Sequence, residues 1–344
     1  MNGEPGTSWH APSPVRRLWD WFVRAELGPL LALFALVVLF ALADYAWGGG
    51  RFASIRNLRI VLNQSSIVAV ASLGMTLIII AGGIDLSAGT ALTLCAAVLA
   101  YTLKHDVAPA WAVVLAVAVG TSCGVGNGLL ISSLRVVPFI VTLGTMTIYL
   151  GIGRIICDET TIAPGRDQIP SWLDSLCSTR APDLLDNGLP NIAPGVIWAG
   201  ALGVLVVLLL RYTVLGRHIF AIGSNESTAR LCGVNIFLTK VCVYALAGTF
   251  IGIAGVYHFA TLKIGNPAEG LGLELQVIAA VVIGGGSLSG GRGSVLGSFT
   301  GAAIMSVIRS GCDQLEVPNP YQELIIGAII ITAVALDQWR KRAE

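Results

Sequence analysis

The chain has 344 residues, of which 55 % are hydrophobic and only 12 % charged. A water-soluble domain of this length could not cover so much apolar surface, so the composition points to an integral membrane protein. A formal net charge of +1 leaves no basic excess to neutralise phosphates, which argues against a nucleic-acid partner.

Residues 1–26 read as a polar cytoplasmic tail, with Arg16, Arg17 and Arg24 ahead of the first apolar run. That lead is too long and too basic for a cleaved signal peptide, and no small-residue cleavage site follows the run. Stretches of about 20 apolar residues suit helices that cross the hydrocarbon core. They occur at Leu27–Trp47, Leu58–Ala81, Leu86–Leu103, Pro109–Ile131, Val136–Ile156, Pro194–Leu210 and Val241–Leu262. Leu275–Gly285, Val295–Ile308 and Leu324–Leu336 complete a set of ten, the eighth and ninth being short. The expected fold is all-α: a polytopic membrane protein with about ten transmembrane helices, some broken or short, in one domain over residues 27–344.

Lys and Arg near the span ends set the orientation. Ten spans put both termini on one side, with Arg340, Lys341 and Arg342 joining the N-terminal arginines. The connection 211–240 brings Arg211, Arg217, Arg230 and Lys240 to that side, which is therefore read as cytoplasmic. The loop 157–193 falls outside, with Asp158, Glu159, Asp167, Asp174, Asp183 and Asp186. Arg51, Arg56 and Arg59 run against the rule, and their spacing beside Phe52 and Leu58 predicts a short helix lying at the interface. In the fourth run, the small residues of Gly120–Gly128 let helix backbones approach closely, while Asn127 is a candidate for lining a polar path.

The seven cysteines show no CxxC or Cys/His cluster with metal-ligand spacing, so no metal is expected. Cys95, Cys123, Cys232 and Cys242 lie in or near apolar runs and read as small core residues. Cys157 and Cys177 flank a polar segment and would pair if it faces an oxidising compartment. His218 and His258 stand alone, which favours a packed or solvated role over ligation.

The most informative stretch is Gly82-Gly83-Ile84-Asp85-Leu86-Ser87-Ala88-Gly89. It returns 202 residues later as Gly284-Gly285-Gly286-Ser287-Leu288-Ser289-Gly290-Gly291, identical at five of eight places without gaps. Glycine-broken apolar segments in corresponding halves of a chain point to the translocation site of a transporter. On this reading Gly82, Gly83, Gly284 and Gly285 break helices or admit close contacts. Asp85, Ser87, Ser287 and Ser289, with Asn127 and Thr142, are candidates to flank the route. Asp85 has a second reading, as the N-cap of the following span or a carboxylate exposed on the inner face. Serine in its place in the second copy would keep a capping oxygen but not the charge.

The connection 211–240 carries a second signal. Ser224 or Asn225 suits the cap of a short helix, with Glu226 in its first turn and Gly233 ending it. Ala229, Leu231 and Cys232 would give that helix a small apolar face, which wants a groove on a partner.

Several of these segments, in order, resemble the ribose/xylose/galactose-type permeases of ATP-binding-cassette importers. They are Gly74-Met75-Thr76-Leu77 with Gly82–Ser87, Pro138-Phe139-Ile140-Val141-Thr142-Leu143-Gly144-Thr145, Leu215-Gly216-Arg217 through Gly233-Val234, and Gly284–Gly297. The resemblance spans roughly Phe52 to Leu336. It implies a permease domain over residues 27–344 that dimerises with itself or a close relative in the inner membrane. It further implies a cytoplasmic ATPase as motor, a periplasmic binding protein that delivers sugar, and no cofactor. Gly223, Ser224, Asn225, Glu226, Ala229, Arg230 and Gly233 then align with the helix that couples permease to ATPase. The chain departs from the family in carrying Asn225-Glu226-Ser227 where Asn-Pro-Glu is common, and in its larger outer loop.

Two enzymatic readings fall away. Leu288-Ser289-Gly290-Gly291-Arg292 resembles an ATPase signature, but it lies between apolar spans and the chain has no GxxxxGK[ST] loop. Asp44 and Asp85 lack the Gly-x-Gly-Asp context of an intramembrane aspartyl protease, and no HExxH or GxSxG occurs. The alternative that stays open is an ATP-independent secondary transporter or channel for a small polar solute.

Overall fold

All ten apolar runs fold as helices, because in lipid only intra-segment hydrogen bonding satisfies every backbone group. A computed structural model describes residues 27–178 and 192–343. The tail 1–26, with its arginines, and Asp183 and Asp186 lie outside the described residues. The helices are α1 (Leu27–Ala43), α2 (Ile55–Ile80), α3 (Ala88–Lys104), α4 (Pro109–Leu134), α5 (Pro138–Ile156), α6 (Ser171–Leu176) and α7 (Pro194–Tyr212). There follow α8 (Val214–Ser224), α9 (Glu226–Leu231), α10 (Ile236–Leu262), α11 (Leu273–Ile283), α12 (Val295–Gln314) and α13 (Asn319–Ala343). Seven are long and apolar enough to cross a membrane: α1 with its π-helical end, α2, α4, α5, α7, α10 and α12. The other three runs form α3, α11 and α13, of 17, 11 and 25 residues.

The helix α2 lies deep in the bundle. Every residue from Val68 to Ile80 is buried, and α10, α11 and α12 pack around it. Polar pairs link helices across the bundle: the Thr76 and Ser298 hydroxyls lie 2.7 Å apart between α2 and α12, and those of Thr121 and Thr249 3.0 Å apart between α4 and α10. The helices α4 and α10 cross in close contact. A Cβ on Gly124 would overlap the Tyr244 carbonyl oxygen, and one on Gly248 the Gly120 carbonyl oxygen.

The two ends of α2 meet different surroundings. Near its start, Asn63 Nδ2 donates to the Cys177 carbonyl at 3.0 Å. At its end, the Ile80 carbonyl accepts from Gly291 N at 2.8 Å, beside Gly223. The acidic loop and the basic connection therefore sit at opposite ends of the bundle.

Two expectations are corrected. Arg56 and Arg59 do not form a separate interfacial helix; they occupy the first turns of α2, which Ser54 caps by accepting from Asn57 N at 3.2 Å. Asp44 ties the preceding turn down by accepting from Phe52 N at 2.6 Å. Cys157 and Cys177 form no disulfide. Both are buried free thiols, Cys157 Sγ donating to the Gly265 carbonyl at 3.7 Å and Cys177 Sγ lying against Gly195.

The α4–α10 crossing generates a stability test. Gly124→Val is expected to destabilise the folded chain by about 1–3 kcal/mol through overpacking, read as a lower unfolding midpoint in detergent. Gly200→Ala, where an added Cβ meets nothing within 4 Å, is expected to keep or slightly raise the midpoint, since alanine is the better helix former.

Candidate functional site

Both glycine motifs end a helix in the same way. After Ile80, Gly82 N donates to Ile79 O at 2.9 Å and Gly83 N to Ile78 O at 2.9 Å. After Ile283, Gly285 N donates to Val282 O at 3.0 Å and Gly286 N to Val281 O at 2.8 Å. Each is a Schellman closure that satisfies the carbonyls left over at a helix end. Gly82 and Gly285 supply its left-handed residue, with φ of 80° and 91°. The structural register thus pairs Gly82 with Gly285, one residue off the ungapped sequence pairing. Gly83 and Gly284 are instead places of close contact: a Cβ on Gly83 would lie 2.6 Å from the Tyr244 hydroxyl, and one on Gly284 would overlap the Gly297 backbone.

The first break, residues 81–87, gathers four of the six candidate path residues into one buried network. Asp85 Oδ1 accepts from Ser87 N at 2.8 Å and from Ser87 Oγ at 2.6 Å. Ser87 Oγ in turn accepts from Asn127 Nδ2 at 2.8 Å. The Tyr149 hydroxyl is 3.1 Å from Asn127 Oδ1 and 2.9 Å from the Cys123 carbonyl. Thr142 Oγ1 accepts from Leu86 N at 3.1 Å. Asp85 is only 2 % exposed, so it is not a carboxylate on the inner surface. Nor is it the N-cap: α3 starts at Ala88 with Ser87 in that position, and Asp85 holds the turn before it. Tyr149 entered this network unannounced by any motif.

The second break, residues 284–294, is four residues longer than the first. Gly290 N donates to Ser287 O at 2.9 Å, and Ser287 N to Arg292 O at 3.1 Å. Ser287 is buried, and its hydroxyl has no hydrogen-bond partner. The two breaks meet here. A Cβ on Gly290 would lie 2.6 Å from Gly223 O and 2.9 Å from Gly82 Cα, and one on Gly223 would overlap the Ile80 carbonyl oxygen.

Gly223 belongs to α8, which leads straight into the short helix α9. Asn225 caps α9, its Oδ1 accepting from Thr228 N at 2.9 Å and from Ser227 Oγ at 2.6 Å. Gly233, at φ 85°, closes it with Gly233 N on Arg230 O and Val234 N on Ala229 O. Glu226 bridges to Arg230 at 3.2 Å and to Lys240 of α10 at 2.7 Å. The hydrogen bond from Lys240 holds the Glu226 carboxyl below the usual range. A lowered pKa means this tether is whole at neutral pH and is lost as pH falls through the depressed value. The apolar face expected of Ala229, Leu231 and Cys232 is split. Ala229 is 4 % exposed and packs inward with Ile222 and Ile236, whereas Leu231 is 89 % exposed. Ser224 packs against Gly291, and Gly223 sits inside the junction with the two breaks.

The comparisons with known proteins fit this arrangement. The family described as "Branched-chain amino acid transport system / permease component" matches residues 57–334. The ribose import permease protein RbsC of Escherichia coli (strain K12) is 35 % identical over 92 % of this chain and 96 % of its own length. The galactose/methyl galactoside import permease protein MglC of the same organism is 38 % identical, over 88 % and 92 %. The fructose import permease protein FrcC of Rhizobium meliloti is 32 % identical, over 91 % and 85 %. No solved structure matches. With a family match across most of its length and full-length relatives of this identity, the chain belongs to the branched-chain amino acid transport system / permease component family.

Proposed function

We propose that the chain is the membrane-spanning subunit of an ATP-binding-cassette importer that carries a monosaccharide or related polyol across a bacterial inner membrane. Both termini are cytoplasmic on this reading. The partners are a cytoplasmic ATPase, a periplasmic sugar-binding protein, a second permease copy or close relative, and membrane lipid. The observation that carries it is the breadth of the relationship: import permeases for ribose, galactose and fructose each align with about nine-tenths of this chain. The family description names branched-chain amino acids, but the individual relatives are named as ribose, galactose and fructose permeases, which supports the sugar reading.

The subunit performs no bond chemistry; it holds conformations whose balance its partners bias. ATPase movement enters at α9, through Leu231, Cys232 and the Arg230 edge. It passes along α8 to Gly223 and from there to both helix breaks, because Gly223 touches Ile80 and Gly290 together. The Asp85–Ser87–Asn127 network with Thr142 acts as a strut that keeps the first break rigid. Ser287, whose hydroxyl is unspent, is the path candidate left to face solute when the loops part. Ser289 lies on the same loop.

The direct test is uptake of labelled ribose, galactose and fructose into cells with and without the gene. Loss of uptake of one of these sugars is expected, with resistance to a protonophore and dependence on ATP. Uptake that collapses with the proton gradient and ignores ATP depletion would instead establish a secondary transporter.

The split face of α9 makes a sharper test. Leu231→Arg is expected to weaken ATPase association about tenfold, measured by co-purification from membranes, while the permease still inserts. Undiminished association would remove α9 from the contact.

A further inference from the structure

We propose that the end of the bundle carrying the basic connection holds a binding site for the headgroup of an anionic phospholipid, between the α4–α5 turn and the start of α10. A cavity of about 600 Å³ lies there. Its walls come from two stretches far apart in the chain, 131–138 and 226–240, and carry Arg135, Arg230 and Lys240 against a single acid, Glu226. Glu226 is shared, reaching Arg230 at 3.2 Å and Lys240 at 2.7 Å. The Arg135 side chain makes no hydrogen bond or ion pair with another described residue. The lining therefore holds two positive charges in excess. Arg135 and Arg230 are exposed and Lys240 is half-buried, which leaves the cations within reach of a headgroup arriving from the bilayer.

Two further features fit a phosphate group. Ser132 lines the cavity, and its hydroxyl has no hydrogen-bond partner. The helix α5 starts on the same wall, at Pro138, without a side-chain cap, and the first N–H groups of a helix want an acceptor. Guanidinium, ammonium, hydroxyl and backbone N–H groups all donate, and a phosphate oxygen accepts from each. The surroundings favour a lipid over a soluble anion. Leu134, Val137, Phe139 and Phe237, in or beside the cavity, are apolar and exposed. They stand at the ends of α4, α5 and α10, three helices long and apolar enough to cross a membrane. Apolar side chains there meet acyl chains, and a basic pocket between the same helices meets the headgroup.

The test uses the full chain purified in a neutral detergent and exchanged with an equal mixture of phosphatidylglycerol and phosphatidylcholine, the bound lipid being counted by native mass spectrometry. Phosphatidylglycerol is expected to be retained over phosphatidylcholine. Arg135→Gln is expected to lower that preference about fivefold, the share of one cation near a charged headgroup, whereas Arg135→Lys keeps most of it. Millimolar inorganic phosphate is expected to leave the preference unchanged, and the importer assembled with its ATPase is expected to keep the lipid. Equal retention of the two lipids, or a preference that survives Arg135→Gln, would overturn the site. Loss of the preference to inorganic phosphate would make it a soluble-anion site instead. Loss of the lipid on ATPase assembly would show that the partner's surface covers the cavity, and would overturn the lipid assignment.

Discussion

The C-terminal end of α2 depends on one contact that admits no side chain: the α-carbon of Gly223 against the last carbonyl of the helix. A helix end leaves carbonyls without intrahelical partners. The Schellman closure at Gly82 and Gly83 takes those of Ile78 and Ile79, and Gly291 N takes that of Ile80. With Gly223 lodged beside the Ile80 carbonyl and Gly290, one carbonyl becomes the meeting point of α2, the second break and the connection 211–240. Displacing α8 therefore disturbs both halves of the repeat at once. A side chain at Gly223 or Gly290 would hold the three segments apart.

The breaks differ in how they are stiffened, and the difference follows from length. The first spans seven residues, 81–87, and is laced by Asp85, Ser87 and Asn127 to α4 and through Tyr149 to α5. Taking a carboxylate out of water is tolerable only where hydrogen bonds replace hydration, and Ser87 supplies two of them. The second break spans eleven residues, 284–294, and leaves the Ser287 hydroxyl unspent. The first break is braced to α4 and α5, while the second holds one buried hydroxyl, that of Ser287, without a hydrogen-bond partner.

Much of this was legible in the chain itself. Lipid forces apolar runs into helices, so all ten were readable, including the short α11 and the helix-ending glycines after it. The cap at Asn225 and the stop at Gly233 were readable because both act within one turn. The register of the repeat was not, since five matching residues outweigh a one-residue shift until the backbone hydrogen bonds are seen. The inward turn of Ala229 was hidden for a similar reason: a helix of six residues shows too little periodicity to separate its faces. Arg56 and Arg59 misled because charged residues at the start of a long helix mimic a separate interfacial one.

The central claim is that motion of the coupling segment reaches the helix breaks through Gly223. The measurement that tests it most directly is ATP hydrolysis and sugar uptake recorded together, in liposomes carrying the assembled importer with Gly223→Ala. The account predicts an importer that still assembles and hydrolyses ATP but moves little sugar, because the methyl group would overlap the Ile80 carbonyl. Uptake per ATP equal to that of the parent importer would contradict it.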